Sequence, residues 1–146
     1  NKTNDKLHRI EGHSINSDLS TSIFIDIHAT NALFDKHSLL ILPGGVKALE
    51  KLRQERGVLE FINRWNAAGK TISSTCHGAQ LMISSKIVKG RNISGYYSIK
   101  DDIENAGAFY HDSPYVVDEN IISSPHYKHM GPWMKATFDV HYKRNK

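Results

Sequence analysis

Along this chain, short unbroken apolar blocks alternate with stretches in which apolar residues recur every three or four positions. The first pattern is that of strands covered on both faces and the second that of amphipathic helices. Leu39-Leu40-Ile41-Leu42 is the clearest block, and Pro43-Gly44-Gly45 closes it with a sharp turn, so a central, doubly buried strand is expected there. Residues 48–68 place Leu49, Leu52, Val58, Phe61, Ile62, Trp65 and Ala68 at a helical period, with an interruption near Gly57 and a stop at Gly69. Lys70-Thr71-Ile72-Ser73-Ser74-Thr75 is a β-prone run that reaches Cys76, and a helix is predicted from there to about Ser85, before Gly90 breaks the pattern.

The flanks read less sharply. Residues 1–22 are polar, with turns expected at Gly12 and Asn16-Ser17-Asp18, and residues 23–27 pass as a short strand. Beyond Gly90, residues 92–94 predict a short strand. Ser98 and Asp101 have the spacing of a capping box for a helix over residues 99–106, which Gly107 ends. Residues 108–110, 115–118 and 121–124 read as strands, the last two joined by a turn at Glu119-Asn120. Met130, Trp133, Met134, Thr137, Phe138 and His141 then mark a closing helix, with Pro132 tolerated near its start. Alternating buried strands and amphipathic helices imply an α/β fold, a mostly parallel sheet with helices on both faces.

Composition sharpens this little. With 146 residues, the chain suits one domain, expected over 1–146. Its net charge of +4 is spread over scattered lysines and arginines, so no nucleic-acid partner is expected, and no apolar run approaches the about 20 residues that cross a bilayer. One cysteine cannot make an internal disulfide, which fits a reducing, cytoplasmic setting. The nine histidines show neither an HExxH pattern nor paired Cys/His spacing, so neither metal nor cofactor is expected. The sequence opens without methionine, so upstream residues could have been removed.

That single cysteine carries the candidate chemistry. Cys76 falls at a strand-to-helix junction, with His77 next and Gly78 after. A helix N-terminus and a nearby imidazolium both favour a thiolate. Taken alone, a free cysteine is as well explained as a small buried hydrophobe, and Trp65, Trp133 and Phe138 as core or subunit-interface residues.

In consistent order and spacing over residues 39–122, several motifs resemble the PfpI/ThiJ family of the class I glutamine amidotransferase-like superfamily. They are Leu39-Leu40-Ile41-Leu42-Pro43-Gly44-Gly45, Gly69-Lys70, Cys76-His77-Gly78-Ala79-Gln80-Leu81, Lys89-Gly90-Arg91, Ala106-Gly107-Ala108 and Val116-Val117-Asp118-Glu119-Asn120-Ile121-Ile122. The resemblance implies a flavodoxin-like three-layer sandwich, with residues 39–142 as the nucleophile-elbow core and 1–38 weakly matched. It implies Cys76 as nucleophile on a strained elbow, with His77 as its partner. Glu50 would reach that histidine from a neighbouring subunit, so a homo-oligomer with a shared site is expected. Backbone N–H groups near Gly45 and His77, with the Gly44, Gly45 and Gly78 turns, would hold an oxyanion.

Three positions depart from the family pattern. Residues 1–35 do not match the family's opening strand, helix and second strand, whose first strand carries an acidic residue against the cysteine. Either the chain is a fragment, or the strand is supplied elsewhere, or the site works without that carboxylate. Where relatives have Thr-Ser-Arg, this chain reads Ser123-Ser124-Pro125-His126, which leaves His126 or His129 as candidates for the pocket, and Ala79 stands where many relatives have proline. The implied function is a cysteine-dependent enzyme acting on small carbonyl compounds, glyoxalase III-like, deglycase-like or hydrolytic. The alternatives are a redox-sensing or stress-associated protein and a PfpI-type cysteine peptidase.

Overall fold

The structure, a computed structural model, describes residues 7–13, 20–26 and 34–145. Two N-terminal strands, β1 (Leu7–His13) and β2 (Ser20–Asp26), pair antiparallel with Leu7 opposite Asp26. Gly12, expected at a turn, lies within β1 opposite Thr21. The Asn16-Ser17-Asp18 turn and Ile27 lie outside the described residues.

The main sheet has the order β3-β4-β8-β7 and contains β3 (Leu39–Leu42), β4 (Thr71–Thr75), β7 (Val116–Asp118) and β8 (Ile121–Ser124). The first three in that order are parallel, and β7 returns antiparallel to β8 through the turn at Glu119, whose φ is 52°. A smaller parallel pair joins β5 (Asn92–Ile93) to β6 (Phe109–Tyr110).

Among the described residues the longer helices are α1 (Val46–Leu52), α2 (Arg56–Ala67), α3 (Ala79–Ser84), α4 (Lys100–Asn105) and α5 (Met130–Arg144). Alternation along the central strands sends side chains to two layers. Ile72 and Ile121 join a large core with Leu49, Ile62, Trp65, Met82 and Ile103, whereas Ile122 faces Trp133 and Ala136 of α5. This is the flavodoxin-like sandwich expected from the sequence.

Trp65 anchors the larger core. It is almost completely buried, its indole N–H donates to the Thr71 carbonyl at 2.9 Å, and Phe34 meets it edge-on at 5.7 Å. A buried tryptophan removes about 200 Å² from water, about 5 kcal/mol in gross transfer terms. Lys70 caps the cluster, with its ammonium 4.6 Å from the Trp65 ring and bonded to the His37 carbonyl at 2.9 Å.

Several expectations need correction. β3 is an edge, not a centre, among the described strands, and Ile41 is 41% exposed. The break in the long helix falls at Arg53-Gln54-Glu55, where the Arg53, Gln54 and Glu55 amides close tight turns onto Leu49, Lys51 and Leu52, while Gly57 is accommodated inside α2. On α5 the buried face is Trp133, Ala136 and Thr137, and Phe138 is 44% exposed. Its orientation is fixed by a hydroxyl pair, Thr137 Oγ1 with Ser73 Oγ at 2.6 Å, which draws the small side of the helix onto β4 and turns Phe138 outward.

Lys86 follows α3 in the left-handed region at φ 62°, where its amide bonds to the Ile83 carbonyl and the Ile87 amide to that of Met82. That closing position favours glycine, because a Cβ there crowds the following carbonyl. Lys86→Gly is therefore expected to stabilise the fold by about 1 kcal/mol, measured by urea unfolding; an unchanged or lower midpoint would contradict the strain.

Candidate active site

β4 leaves Thr75 in extended conformation and the chain turns abruptly at Cys76, whose φ of 58° lies in the left-handed region. A 3-10 turn over Cys76–Gly78 leads directly into α3. A β-carbon on Gly78 would sit 2.2 Å from the Leu42 carbonyl oxygen, so only glycine lets the start of the helix pass beneath the end of β3. A β-carbon on Gly44 would come within 2.9 Å of the Cys76 Cβ and 3.3 Å of its Sγ, so the turn after β3 lies flush against the thiol. Gly45, at φ 115°, opens α1 beside it. The Tyr96 amide donates to the Cys76 carbonyl at 3.0 Å, tying the elbow to the chain after β5.

His77 is buried and bridges two hydroxyl-like groups. Its Nδ1 lies 3.3 Å from the Cys76 Sγ and its Nε2 3.4 Å from the Ser98 Oγ. Both contacts are satisfied together when Nε2–H donates to Ser98 and Nδ1 accepts from the thiol. Tyr96 lies over the imidazole with ring centres 4.7 Å apart, and the row continues to His126 at 6.0 Å and from there to Tyr127 at 4.0 Å.

Burial pushes the Cys76 thiol above its usual range, opposed by a hydrogen bond from the His77 backbone N–H, and burial pulls the His77 imidazole down. Near neutral pH the pair is accordingly a thiol beside a neutral imidazole. The sequence reading of a preformed thiolate stabilised by an imidazolium is not what these contacts supply. Among the described residues no carboxylate hydrogen-bonds to either group. What the arrangement can do is pass the thiol proton to Nδ1 as sulfur attacks an electrophile.

The DJ-1/PfpI family profile matches residues 5–139. The chain belongs to the DJ-1/PfpI family. Deglycase PfpI of Pyrococcus furiosus is 35% identical over 114 residues, which cover 78% of this chain and 68% of the deglycase. General stress protein 18 of Bacillus subtilis is 38% identical over 78 residues, 53% of this chain and 45% of that protein. A solved two-domain protein from Anabaena variabilis, with DJ-1/ThiJ/PfpI-like and ferritin-like domains, superposes with a TM-score of 0.75 at 30% identity over 84% of this chain and 34% of that one. The DJ-1/PfpI chain thus spans 68% of the deglycase and less than half of the stress protein.

Of the residues expected at the DJ-1/PfpI site, the fold brings Cys76, His77, Gly44 and Gly78 together. Glu50 is exposed on α1, where its backbone carbonyl accepts from the Gln54 side-chain Nε2, and among the described contacts its side chain has no hydrogen bond to Cys76 or His77. His126 joins the aromatic row, whereas His129 is the residue before α5 and donates its amide to the His126 carbonyl.

Ser98 and Tyr96 were not legible as site residues. Ser98 reads as a helix cap, yet it makes no cap hydrogen bond, because Ile99 precedes the first helical residue and the Ser98 hydroxyl faces His77. The usable signal was Gly95. A β-carbon there would lie 2.9 Å from Ile103 Cδ1 and 3.2 Å from the Ala79 Cβ, so this turn must pack closely against the elbow helix.

Proposed function

We propose that the Cys76–His77 pair performs cysteine-dependent chemistry on small carbonyl compounds. The observation that carries this reading is the elbow itself, a thiol at φ 58° with an imidazole nitrogen 3.3 Å away and a glycine turn flush against it. Sulfur attacks the carbonyl carbon and the C–S bond forms as the carbonyl π electrons move to oxygen. The thiol proton passes to His77 Nδ1 and then to that oxygen, giving a hemithioacetal. The His77 backbone N–H and the turn at Gly45 are the candidate oxyanion donors. Ser98 is a positioning residue whose hydroxyl can accept from Nε2–H in the tautomer with Nδ1 unprotonated. Glu50 contributes from a second copy of the chain, a role that a strict monomer in light scattering would remove.

One further consideration favours the carbonyl reading over redox sensing, the deglycase name of a relative that matches over most of this chain.

The test is conversion of methylglyoxal, followed by proton NMR across pH. Activity is expected above the buffer background, rising with pH through neutrality because more of the thiol ionises, and falling to background after alkylation with iodoacetamide. Equal conversion by alkylated and untreated protein would overturn the reading.

A further inference from the structure

Away from the elbow, α3 ends at an open groove of about 580 Å³ to which three cationic side chains contribute. Arg53 comes from the end of α1, Lys86 from the turn after α3, and Lys89 from the segment that follows. Asp102 and Asn105 of α4 also line it. Six residues of α3, about 9 Å of helical rise, separate the groove from the cysteine turn.

Two of the cations are held in position. Arg53 Nε donates to Ser84 Oγ at 2.8 Å, which fixes the guanidinium and leaves its terminal nitrogens unengaged by any described partner. The Lys89 stem lies against Gly107, where a β-carbon would come within 3.1 Å of its Cγ. Neither Lys86 nor Lys89 has an ion pair among the described residues. Lys86 adds an independent sign, because it keeps a charged side chain at φ 62°, where glycine would be free of strain. Backbone strain retained at an exposed position points to a use for the side chain.

We infer that this groove binds a small phosphate monoester of a polyhydroxylated compound. Arg53, Lys86 and Lys89 take the phosphate, because a guanidinium fork and two ammonium groups match its charge and its three terminal oxygens. Asp102 and Asn105 take the hydroxyls. A carboxylate at the rim selects against a bare polyanion and for a ligand with donors beside its phosphate. The volume lies within the range of small-metabolite pockets.

Isothermal titration of the full chain with glycerol 3-phosphate tests this, with inorganic phosphate and glycerol as the other two arms. One saturable site per chain is expected for the ester, with weaker binding of phosphate and none of glycerol. Lys86→Gly relieves strain and leaves the fold intact, so the expected rise of about tenfold in Kd is read without a folding artefact. Asp102→Asn should weaken the ester and leave inorganic phosphate unchanged, while Cys76→Ser should bind as the wild type does. The inference is overturned by absence of saturable ester binding, by phosphate binding as tightly as the ester, by an unchanged Kd in Lys86→Gly, or by loss of binding in Cys76→Ser.

Discussion

Cys76→Ser is expected to lower methylglyoxal turnover by about three orders of magnitude, on the order of 4 kcal/mol of transition-state stabilisation, while the protein stays folded. The size of the effect follows from the neutral state of the pair. His77 is a weak base because burial opposes its charged form, and among the described residues no carboxylate stands behind it to support an imidazolium. Such a base can take a proton from a thiol during attack but has far less leverage on a hydroxyl, whose pKa is many units higher. Serine fits the same backbone, since the φ of 58° is already adopted by a residue with a β-carbon. Far-UV circular dichroism and the unfolding midpoint should therefore match the wild type. Retained turnover in the serine variant would remove the covalent step.

The second large effect is on architecture. Gly78→Ala would place a methyl group 2.2 Å from the Leu42 carbonyl oxygen and 3.2 Å from that of Pro43. Both obstacles are backbone, so no side-chain rotation relieves the contact, and either α3 or the end of β3 must move. A destabilisation of about 3 kcal/mol is expected, at the upper end for an overpacked site, measured by chemical unfolding. Any shift also moves Cys76, two residues earlier, relative to His77. A displacement near 1 Å lowers activity by about 100-fold, so the folded fraction should be poorly active as well. A variant with wild-type stability would show that the turn has slack, contrary to its close packing.

What could be read from the sequence was set by local physics. The strand into Cys76, the turn at Gly78 and the stops at Gly69 and Gly107, with φ of 73° and 88°, depend on neighbouring residues alone and were legible. Position within the sheet was not. The Leu39–Leu42 run specifies an apolar strand, but whether a neighbour lies on each side depends on chain far away in sequence, and Ile41 proved exposed. Phe138 misled for a related reason. Helical spacing assigns it to an apolar stripe, whereas the Ser73–Thr137 hydroxyl contact, between residues 64 positions apart, decides which stripe faces inward. Ser98 was hidden because one hydroxyl can serve a helix end or a distant imidazole, and only the fold chooses between them.

The strands behind the elbow are built from small side chains. Ser73, Ser74 and Thr75 on β4 and Ser123 and Ser124 on β8 are all buried, with Ser74 opposite Ser123 and Thr75 opposite Ser124. Ser123 accepts from the Ser94 amide and Ser124 donates to the Pro114 carbonyl, so these hydroxyls pin the segments that carry the rim. A sheet this thin at its centre divides the freedom of the surrounding sequence unevenly. Drift beneath the cysteine is restricted, because most replacements are larger than these buried side chains, and loss of the Ser123 or Ser124 hydroxyl leaves the Ser94 amide or the Pro114 carbonyl without its partner. The exposed rings Tyr97 and Tyr127, 41% and 69% exposed, are under less packing constraint. New specificities in this lineage would then arise by repainting the rim over an unchanging floor.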